Sequence, residues 1–360
     1  MARFSEVLSI INGRNQAAVE NPNGKYPIYG SGGIMGYADD YLCEANTVVI
    51  GRKGTINKPI YVETPLWNVD TAFGLRANED VLLPKYLYYF CEKFDFERLN
   101  TTVTIPSLTR MRLLDVEIPL PPMEQQRHIA AVLDKVCALI SIGKQQLAKL
   151  DELVKARFVE MFGDPVSNPQ KWETMSFASL GTLARGVSKT RPRDLPELLG
   201  GKYPLVQTGE VANAGTYIEH YKNTYSDLGL AQSKLWPKGT LCITIAANIA
   251  HTGILAFDAC FPDSIVGFIS GDKTNQLFVH YWFVFFQKIL DAQATQVAQK
   301  NINLKILSAL QVIVPPLSLQ EKFSGFAKQT DKAKLTIHRS LDRLETLKNS
   351  LMQEYFGGPA

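Results

Sequence analysis

A glycine-flanked turn with two adjacent cations is the part of the sequence best suited to chemistry. The turn GRKGT (51–55) follows an apolar, strand-like run. Glycines let a backbone approach a phosphate, Arg52 and Lys53 supply positive charge, and Thr55 and Asn57 can form hydrogen bonds. These residue types predict contact with a nucleic acid. An ordinary solvated hairpin turn is the alternative interpretation.

A second glycine-rich stretch, GSGGIMG (30–36), lies upstream of this turn. It opens no helix and lies outside a βαβ pattern, so it does not match a dinucleotide-binding fingerprint and we predict a loop. Its polar part, at Gly30, Ser31 and Gly32, is a further candidate for nucleic-acid contact.

The second half of the chain offers polar residues of other types. It lacks an equivalent of the GRKG sequence, and a basic loop stands instead at Lys189, Arg191 and Arg193. Asn or Gln can recognise adenine in the major groove, and Arg can recognise guanine. The remaining candidates for base or phosphate contact are Gln207, Thr208, Asn248 and His251.

Motifs for catalysis or cofactor binding do not stand out. There is no GxxxxGK[ST] phosphate loop, no cofactor loop placed between a strand and a helix, and no Asn/Asp-Pro-Pro-aromatic motif of a DNA methyltransferase. The five histidines are dispersed, and the five cysteines never show C-x-x-C spacing, which argues against a zinc site and a disulfide framework. We expect no catalytic residue, no metal and no cofactor in this chain.

The elements that would position these residues occur twice, 194 residues apart. The Pro-Pro pair at 121–122 returns at 315–316, and Gln126 returns as Gln320. The segment LAKLDELVKARFVEMFGDP (147–165) aligns without a gap on LDRLETLKNSLMQEYFGGP (341–359). A fixed offset over this length indicates a duplicated module.

Each module ends in a long amphipathic helix. Apolar residues recur in steps of three and four, a heptad pattern that predicts a coiled-coil-like partner, with interruptions at Gly143 and Arg157. Each helix ends at Phe-Gly, with glycine in the C-cap role. The simplest arrangement pairs the two helices antiparallel, as a structural spacer. The predicted seam and docking residues are Ile129, Leu133, Val136, Ile140, Leu147, Leu150, Val154, Phe323, Ile337, Leu341, Leu344 and Leu351.

The predicted fold class is α/β (α+β), with two globular domains joined by the two long helices as an internal two-fold repeat. Short β-like runs alternate with Gly, Pro and Asn, and a helix opens at Pro84 and continues through LYYFCEKFDFERL. A counterpart helix is predicted near 278–293. The boundaries follow as a first globular domain at 1–120, a helical region at 121–165, a second globular domain at 166–316 and a distal helical region at 317–360.

Composition and charge exclude little. The chain has 360 residues and a net charge of only +3, which is weak for a DNA-binding protein, so any basic surface must be local. No signal peptide stands out, and the most apolar window (277–290) is too short to span a membrane. We expect a cytoplasmic protein without membrane association.

The order of these parts resembles the specificity subunit of a type I restriction-modification enzyme, over nearly the whole chain. The most specific segments are YPIYGSGGIMGY (26–37), VVIGRKGTINKPIY (48–61) and LPPMEQQRHIAAVLDKV (120–136), with a weaker echo in VPPLSLQEKFSGFAKQT (314–330). The family's usual PPLxEQ is PPMEQQ in the first copy. The second copy has PPLSLQEK, where leucine replaces glutamate.

The resemblance implies a division of labour. Each globular domain would be a target recognition domain that recognises one half of a bipartite sequence in double-stranded DNA. The helices would space the domains and dock two DNA adenine N6-methyltransferase subunits, which use S-adenosylmethionine. Restriction and motor subunits that consume ATP with Mg would join them. Because the candidate loops of the two halves differ, the predicted target is asymmetric.

Three alternatives stay open at this point. A specificity subunit could serve a methylation-only or other defence system that has no motor. A coiled-coil adaptor could bind protein and not DNA, which the near-neutral charge favours. A methyltransferase in its own right is the third, and the missing cofactor motifs argue against it.

Overall fold

The structure is a computed structural model that describes residues 1–100, 105–193, 195–246, 249–286, 289 and 302–357. It divides into two compact units. Unit 1 comprises Met1–Lys144 with His338–Ala360, and unit 2 comprises Gln145–Ile337.

Unit 1 contains nine strands and the beginning of a long helix within its described residues. Its strands form a four-stranded sheet in the order β2-β8-β5-β6, a three-stranded sheet β4-β3-β7 and the pair β1-β9. The elements are β1 (Ala2–Arg3), α1 (Phe4–Val7), β2 (Leu8–Asn12), β3 (Tyr26–Gly30), β4 (Gly33–Ala38), β5 (Thr47–Gly51), β6 (Ile60–Val62), β7 (Trp67–Asn68), β8 (Ala72–Ala77), α2 (Pro84–Lys93), a 3-10 turn (Phe96–Leu99), α3 (Arg110–Leu114), β9 (Glu117–Ile118) and α4 (Met123–Phe162).

Unit 2 repeats this plan with some additions. Its sheets have the orders β11-β19-β16-β17-β13, β14-β12-β18-β15 and β10-β20. The elements are β10 (Thr174–Ser176), a 3-10 turn (Phe177–Leu180), β11 (Gly181–Arg185), a 3-10 turn (Pro196–Leu198), β12 (Leu199–Leu205), α5 (Thr208–Ala212), β13 (Tyr217–Ile218), β14 (Asn223–Tyr225), α6 (Asp227–Ala231), β15 (Leu235–Trp236), β16 (Leu241–Thr244), β17 (Thr252–Leu255), β18 (Ala259–Cys260), β19 (Ile265–Ser270), α7 (Gln276–Trp282), a 3-10 turn (Phe283–Phe285), α8 (Leu304–Ala309), β20 (Gln311–Ile313) and α9 (Leu317–Phe356).

The shared sheet orders confirm the internal repeat. Strands β2, β8, β5 and β6 of unit 1 occur in the same antiparallel order as β11, β19, β16 and β17 of unit 2. In both units a parallel pairing then builds the smaller sheet, between β3 and β7 and between β12 and β18. The mixed α and β class is therefore confirmed.

Several local predictions need correction. The stretch 30–36 is not a loop, because β3 ends at Gly30 and β4 begins at Gly33, so only Ser31 and Gly32 form the turn. The helix that opens at Pro84 ends at Lys93, and a separate 3-10 turn follows because the Asp95 side chain accepts from Glu97 N at 3.1 Å. The counterpart helix, predicted near 278–293, begins at Gln276 and is regular to Trp282; residues 287, 288 and 290–293 of the prediction lie outside the described residues.

The long helices contribute to the core of each unit. In unit 1, Ile129 and Leu133 of α4 share one apolar cluster with Met352 and Phe356 of α9. In unit 2, Phe158 of α4 packs edge-to-face on Phe323 of α9, with ring centroids 5.4 Å apart. Val154, Phe162 and Ala327 belong to the same cluster. In each unit, the N-terminal part of one helix thus lies beside the C-terminal part of the other, so the two segments run antiparallel.

Both helices are continuous over 40 residues, including at Gly143. A Cβ at Gly143 would lie 2.7 Å from Leu341 Cδ2, so the glycine makes room for that leucine. Lys144 pairs with Glu345 in unit 1 at 3.2 Å, and Lys334 pairs with Asp151 in unit 2 at 2.5 Å. The predicted seam residues are all buried or partly buried.

The recurring glutamine of the Pro-Pro motif has a structural role in both units. The Gln126 side chain is fully buried; its Oε1 accepts from Leu83 N, and its Nε2 donates to Val81 O and Pro121 O, each at 2.9 Å. Gln320 repeats the pattern in unit 2 with Thr274 Oγ1, Lys273 O and Pro315 O. The motif therefore ties the start of each long helix to the turn before α2 or α7.

None of the helices in the described ranges has the length and apolar content needed to cross a bilayer.

Candidate nucleic-acid interface

The two candidate loops of unit 1 lie against each other. A Cβ at Gly51 would lie 3.1 Å from Ser31 Cβ, and one at Gly54 would lie 3.8 Å from Ser31 Oγ. The hairpin turn between β3 and β4 thus abuts the GRKGT turn after β5. The structure brings Gly30, Ser31 and Gly32 together with this turn, which the sequence alone did not predict.

The shape of the GRKGT turn depends on its glycines. A Cβ at Gly51 would lie 2.1 Å from the carbonyl oxygen of Thr55, so a side chain there cannot be accommodated. Gly54 has φ +81, in the left-handed region that glycine adopts without a Cβ penalty. Backbone hydrogen bonds from Arg52 N to Thr71 O and from Gly54 N to Pro106 O hold the turn in place.

The two cations of this turn differ in their surroundings. The Arg52 guanidinium lies 5.7 Å from the centroid of the Phe73 ring and donates from Nη1 to Asp70 O at 3.4 Å. Lys53 is exposed, and its backbone bridges to Ser107. Arg52 is therefore held in one orientation, whereas the Lys53 ammonium is presented to solvent.

The Asn57 side chain is occupied within the fold. Its Nδ2 donates to Asp95 Oδ1 at 2.9 Å, and its Oδ1 accepts from Phe96 N at 2.7 Å. These bonds fasten the loop to the 3-10 turn. Thr55 is partly exposed. Asn57 consequently acts as a support for the turn, and Thr55 is the better placed of the two for contact with a ligand.

In unit 2, three arginines converge on Asp263, two on its carboxylate and one on its backbone carbonyl. Arg191 Nη2 lies 3.2 Å from Asp263 Oδ2, and Arg193 binds the other carboxylate oxygen. Arg185 donates from Nε and Nη2 to the Asp263 carbonyl at 2.8 and 2.6 Å. Three positive charges thus surround one negative charge, and all three arginines are exposed. These arginines give unit 2 a local basic surface.

A cavity of about 220 Å³ joins this cluster to other candidates. Arg193, Gln207 and Thr208 line it, together with Asn223 and the turn residue Ser264. Gln207 is the N-cap residue of α5, and its backbone N–H donates to Glu210 Oε2 at 3.1 Å. Its side chain is exposed at the start of the helix. Three of the predicted residues therefore border one concave surface.

The remaining candidates of unit 2 are not part of that lining. The Lys189 side chain is exposed, and its backbone N–H donates to Gln232 Oε1 at 2.7 Å. His251 is exposed at the end of the β16–β17 hairpin, where its backbone N–H donates to Thr244 Oγ1 at 3.0 Å. Asn248 lies outside the described residues.

The acidic turn is the functional feature that the sequence reasoning missed. Asp263-Ser264 precedes β19 as Asp70-Thr71 precedes β8. An arginine side chain contacts the aspartate at both turns, Arg191 at Asp263 and Arg52 at the carbonyl of Asp70. In each unit the turn also accepts a backbone hydrogen bond from the loop after the neighbouring strand of the sheet, β5 or β16: from Arg52 N to Thr71 O and from Ile245 N to Ser264 O. The signal was available, because Asp-Ser/Thr stands four residues before glycine in both copies.

Comparison with known proteins decides the family. Residues 1–152 and 169–349 match the type I restriction modification DNA specificity domain. The chain belongs to this family. The match covers both copies of the repeat, and each unit accordingly contains the globular part of one specificity domain.

Curated members of the family are distant relatives. The type I restriction enzyme EcoBI specificity subunit of Escherichia coli is 22% identical over 361 residues, covering 89% of this chain and 75% of that protein. The MjaVIII specificity subunit of Methanocaldococcus jannaschii is 21% identical and covers 86% of this chain and 75% of its own length.

Solved structures share the fold. The S subunit of a type I restriction-modification system from M. genitalium has a TM-score of 0.64 at 15% identity, with 100% of this chain and 96% of that chain covered. A chain from a structure of an assembling type I R-M system has a TM-score of 0.57 at 16% identity, covering 99% and 96%. At such identities the likeness extends to the fold of the specificity subunit and not to individual residues.

Proposed function

We propose that this chain recognises an asymmetric, bipartite target in double-stranded DNA on behalf of a type I restriction-modification enzyme. The observation that carries this proposal is the unlike chemistry of the candidate surfaces in two units that share a fold. Unit 1 presents Lys53 beside a glycine hairpin, whereas unit 2 presents Arg191 and Arg193 on Asp263. Surfaces with different donors would select different bases, one half-site for each unit.

The phosphate backbone supplies the first part of binding. Exposed lysine and arginine side chains attract phosphates at long range, and backbone N–H groups at turns fix the register of the protein on the duplex. Arg191 and Arg193 are held in position by Asp263 before any DNA arrives, so less side-chain entropy is lost on binding. A planar guanidinium can donate two hydrogen bonds to the O6 and N7 atoms of guanine.

This chain would recognise the DNA target, and its partner subunits would carry out the catalysis. Within the described residues, no three His, Cys, Asp or Glu side chains come close enough to hold a metal ion. The division of labour that the family resemblance implies places the adenine N6-methylation, with S-adenosylmethionine, in two partner methyltransferase subunits. ATP and Mg would be used by restriction and motor subunits. Exposed apolar side chains on the long helices, Leu139 and Leu153 on α4 and Leu347 on α9, offer surface for such partners.

Sequencing of N6-methyladenine tests the proposal. DNA would be taken from cells that express the adjacent methylase gene with and without this chain. The expected result is a modified two-part motif that disappears when the chain is absent. A palindromic motif would contradict the asymmetry. Unchanged methylation would contradict the specificity role and favour a protein-binding adaptor.

A further inference from the structure

The tip of the β3–β4 hairpin carries two exposed apolar side chains in sequence. Ile34 is 56% exposed and Met35 is 61% exposed. In a regular strand, neighbouring residues point to opposite faces, so one of two consecutive apolar residues is normally covered. Here both are presented to solvent at the end of a short hairpin.

A break in the strand register explains this arrangement. Ile28 lies opposite Gly36 and Tyr29 lies opposite Ile34, so Met35 is the extra residue of a β-bulge. Bulges redirect side chains and occur preferentially beside functional sites. A Cβ at Gly30 would lie 2.5 Å from Met35 Sδ, which means that the glycine gives the methionine side chain its position across the hairpin.

The charges beside the tip indicate what covers it. Ser31 of the same hairpin abuts Gly51 and Gly54, so the hairpin that carries Ile34 and Met35 lies beside the turn that presents Arg52 and Lys53. An apolar projection next to cations suits a polyanion with an apolar interior, which describes a DNA duplex. Proteins that bend DNA insert Ile, Met, Leu or Phe side chains between base pairs in this way.

We propose that Ile34 and Met35 form an apolar wedge that contacts and partly unstacks a base step in the half-site of unit 1. This inference rests on the proposed DNA recognition and adds a specificity element to it. Pyrimidine–purine steps unstack most easily, so the wedge would favour one of them at that position. Unit 2 lacks the tight hairpin, since its strands β12 and β14 are joined by residues 206–222. The effect is therefore restricted to one half-site.

The first experiment selects binding sites from a random duplex library with the full chain, without any methyltransferase. The wild type and Ile34→Ser/Met35→Ser are compared. The variant is expected to lose the preference for one base step in one half-site while the other half-site is unchanged. Affinity for the wild-type target should fall about 10-fold, as for the loss of one base contact, and the salt dependence should stay the same because no charge is removed.

A fluorescent base then reports unstacking directly. 2-Aminopurine would be placed at that step of the selected target, where its emission rises when the wild type binds and stays low with the serine variant. Ile34→Leu/Met35→Leu retains the apolar volume and should retain the signal. Met111→Ser, which removes an exposed apolar side chain from α3 in the same unit, should leave both the affinity and the emission unchanged.

The outcomes separate the two proposals. A wild type that selects a bipartite motif, together with a serine variant that matches it in motif, affinity and emission, would overturn the wedge and leave the recognition function intact. A wild type that selects no motif would overturn the recognition function, and the wedge with it. Equal thermal unfolding of all variants confirms that the substitutions act at the surface.

Discussion

Asp263 holds two arginine side chains and cannot neutralise both. Its carboxylate binds Arg191 and Arg193, and its carbonyl binds Arg185. In the proposed interface, preorganisation of this kind would favour geometric selectivity over simple attraction to phosphate, because the guanidinium groups would meet the bases in a fixed orientation.

Removal of the Asp263 charge should separate these two effects. Asp263→Asn adds one unit of positive charge and frees both arginines, so non-specific affinity should rise while discrimination between target and random DNA falls about 10-fold. Binding isotherms on both duplexes measure this. Asp272→Asn makes the same charge change at an exposed residue of unit 2 and should raise non-specific affinity without loss of discrimination. Equal behaviour of the two variants would contradict a role in positioning.

Lys53 offers the cleaner test of the turn in unit 1, because Arg52 also packs on Phe73. Lys53→Ala should weaken DNA binding and reduce the slope of log affinity against log salt by about one, as for one lost phosphate contact. Titrations between low and moderate salt give the slope. Lys53→Arg preserves the charge and should preserve the slope. A slope that alanine leaves unchanged would remove this lysine from the interface.

His280 should make the stability of unit 2 sensitive to pH. Its ring is buried on α7, with Nδ1 2.9 Å from Thr252 Oγ1, and burial together with the nearby Lys334 charge lowers its pKa to about 4. Between about pH 6.5 and pH 4, His280 is protonated in the unfolded chain but stays neutral in the folded chain. Stability is therefore lost as pH falls from about 6.5 towards 4.

The expected loss is about 2 kcal/mol between pH 7 and pH 5. His280→Gln does not titrate and should lack this component, which urea unfolding at the two pH values would reveal as a difference between wild type and variant. Burial raises the pKa of Asp331, which acts in the opposite direction and is common to both proteins. Parallel pH profiles would mean that the imidazole is accessible to protons in the folded state.

At the scale of elements, the buried glutamines connect each globular region to its long helix. Gln126→Ala would leave Leu83 N, Val81 O and Pro121 O without their partner in a buried site, at a cost of about 3 kcal/mol. Hydrogen exchange should then increase in α2 and the start of α4, with unit 2 unaffected. The exposed neighbour Gln125 is a matched control, and its alanine variant should change stability by less than about 0.5 kcal/mol. A similar cost for both variants would contradict the role of the buried amide.

The sequence predicted those elements whose signals are local. The heptad spacing and the Phe-Gly ends predicted two long helices, and the apolar run before the GRKGT turn predicted a strand that the structure confirms as β5. Gly163 follows α4 with φ +78, as a C-cap glycine does. Each of these features depends on residues within one or two turns of the chain.

Features that depend on distant partners were not accessible in this way. The spacing of Gln126 was noted, but its buried hydrogen bonds involve residues about 40 positions earlier. Asp263 was overlooked because its arginines lie about 70 positions away, and Asn57 was taken for a ligand contact because its partner Asp95 is remote. The bulge at Met35 requires knowledge of the opposing strand. Side-chain roles set by tertiary pairing need the fold.

At the scale of the whole molecule, the paired helices should determine the distance between half-sites. Each helix has 40 residues and is about 60 Å long. Seven residues inserted in α4 after Lys144 and seven in α9 after Ile337 would preserve the heptad register and lengthen both helices by about 10 Å, equivalent to about 3 base pairs. Methylation sequencing should report a target whose central spacer is longer by that amount.

A single-helix insertion is the control for this prediction. Seven residues in α4 alone would lengthen one of the two connections between the units and not the other. The helix contacts of one unit, Gly143–Leu341 and Lys144–Glu345 or the Asp151–Lys334 pair, would then be lost, so activity should be lost with no new spacer selected. An unchanged spacer after the double insertion would show that some other part of the assembly measures the distance.

Because the end of α9 belongs to unit 1, the two units cannot complete folding in the order in which they are translated. Unit 2 is a continuous stretch of chain, whereas the core of unit 1 waits for Met352 and Phe356, which leave the ribosome only after all of unit 2 has been made. The domain translated first is thus the last to be completed. Until then, the apolar residues that Met352 and Phe356 cover are accessible to chaperones or to the same segment of another nascent chain.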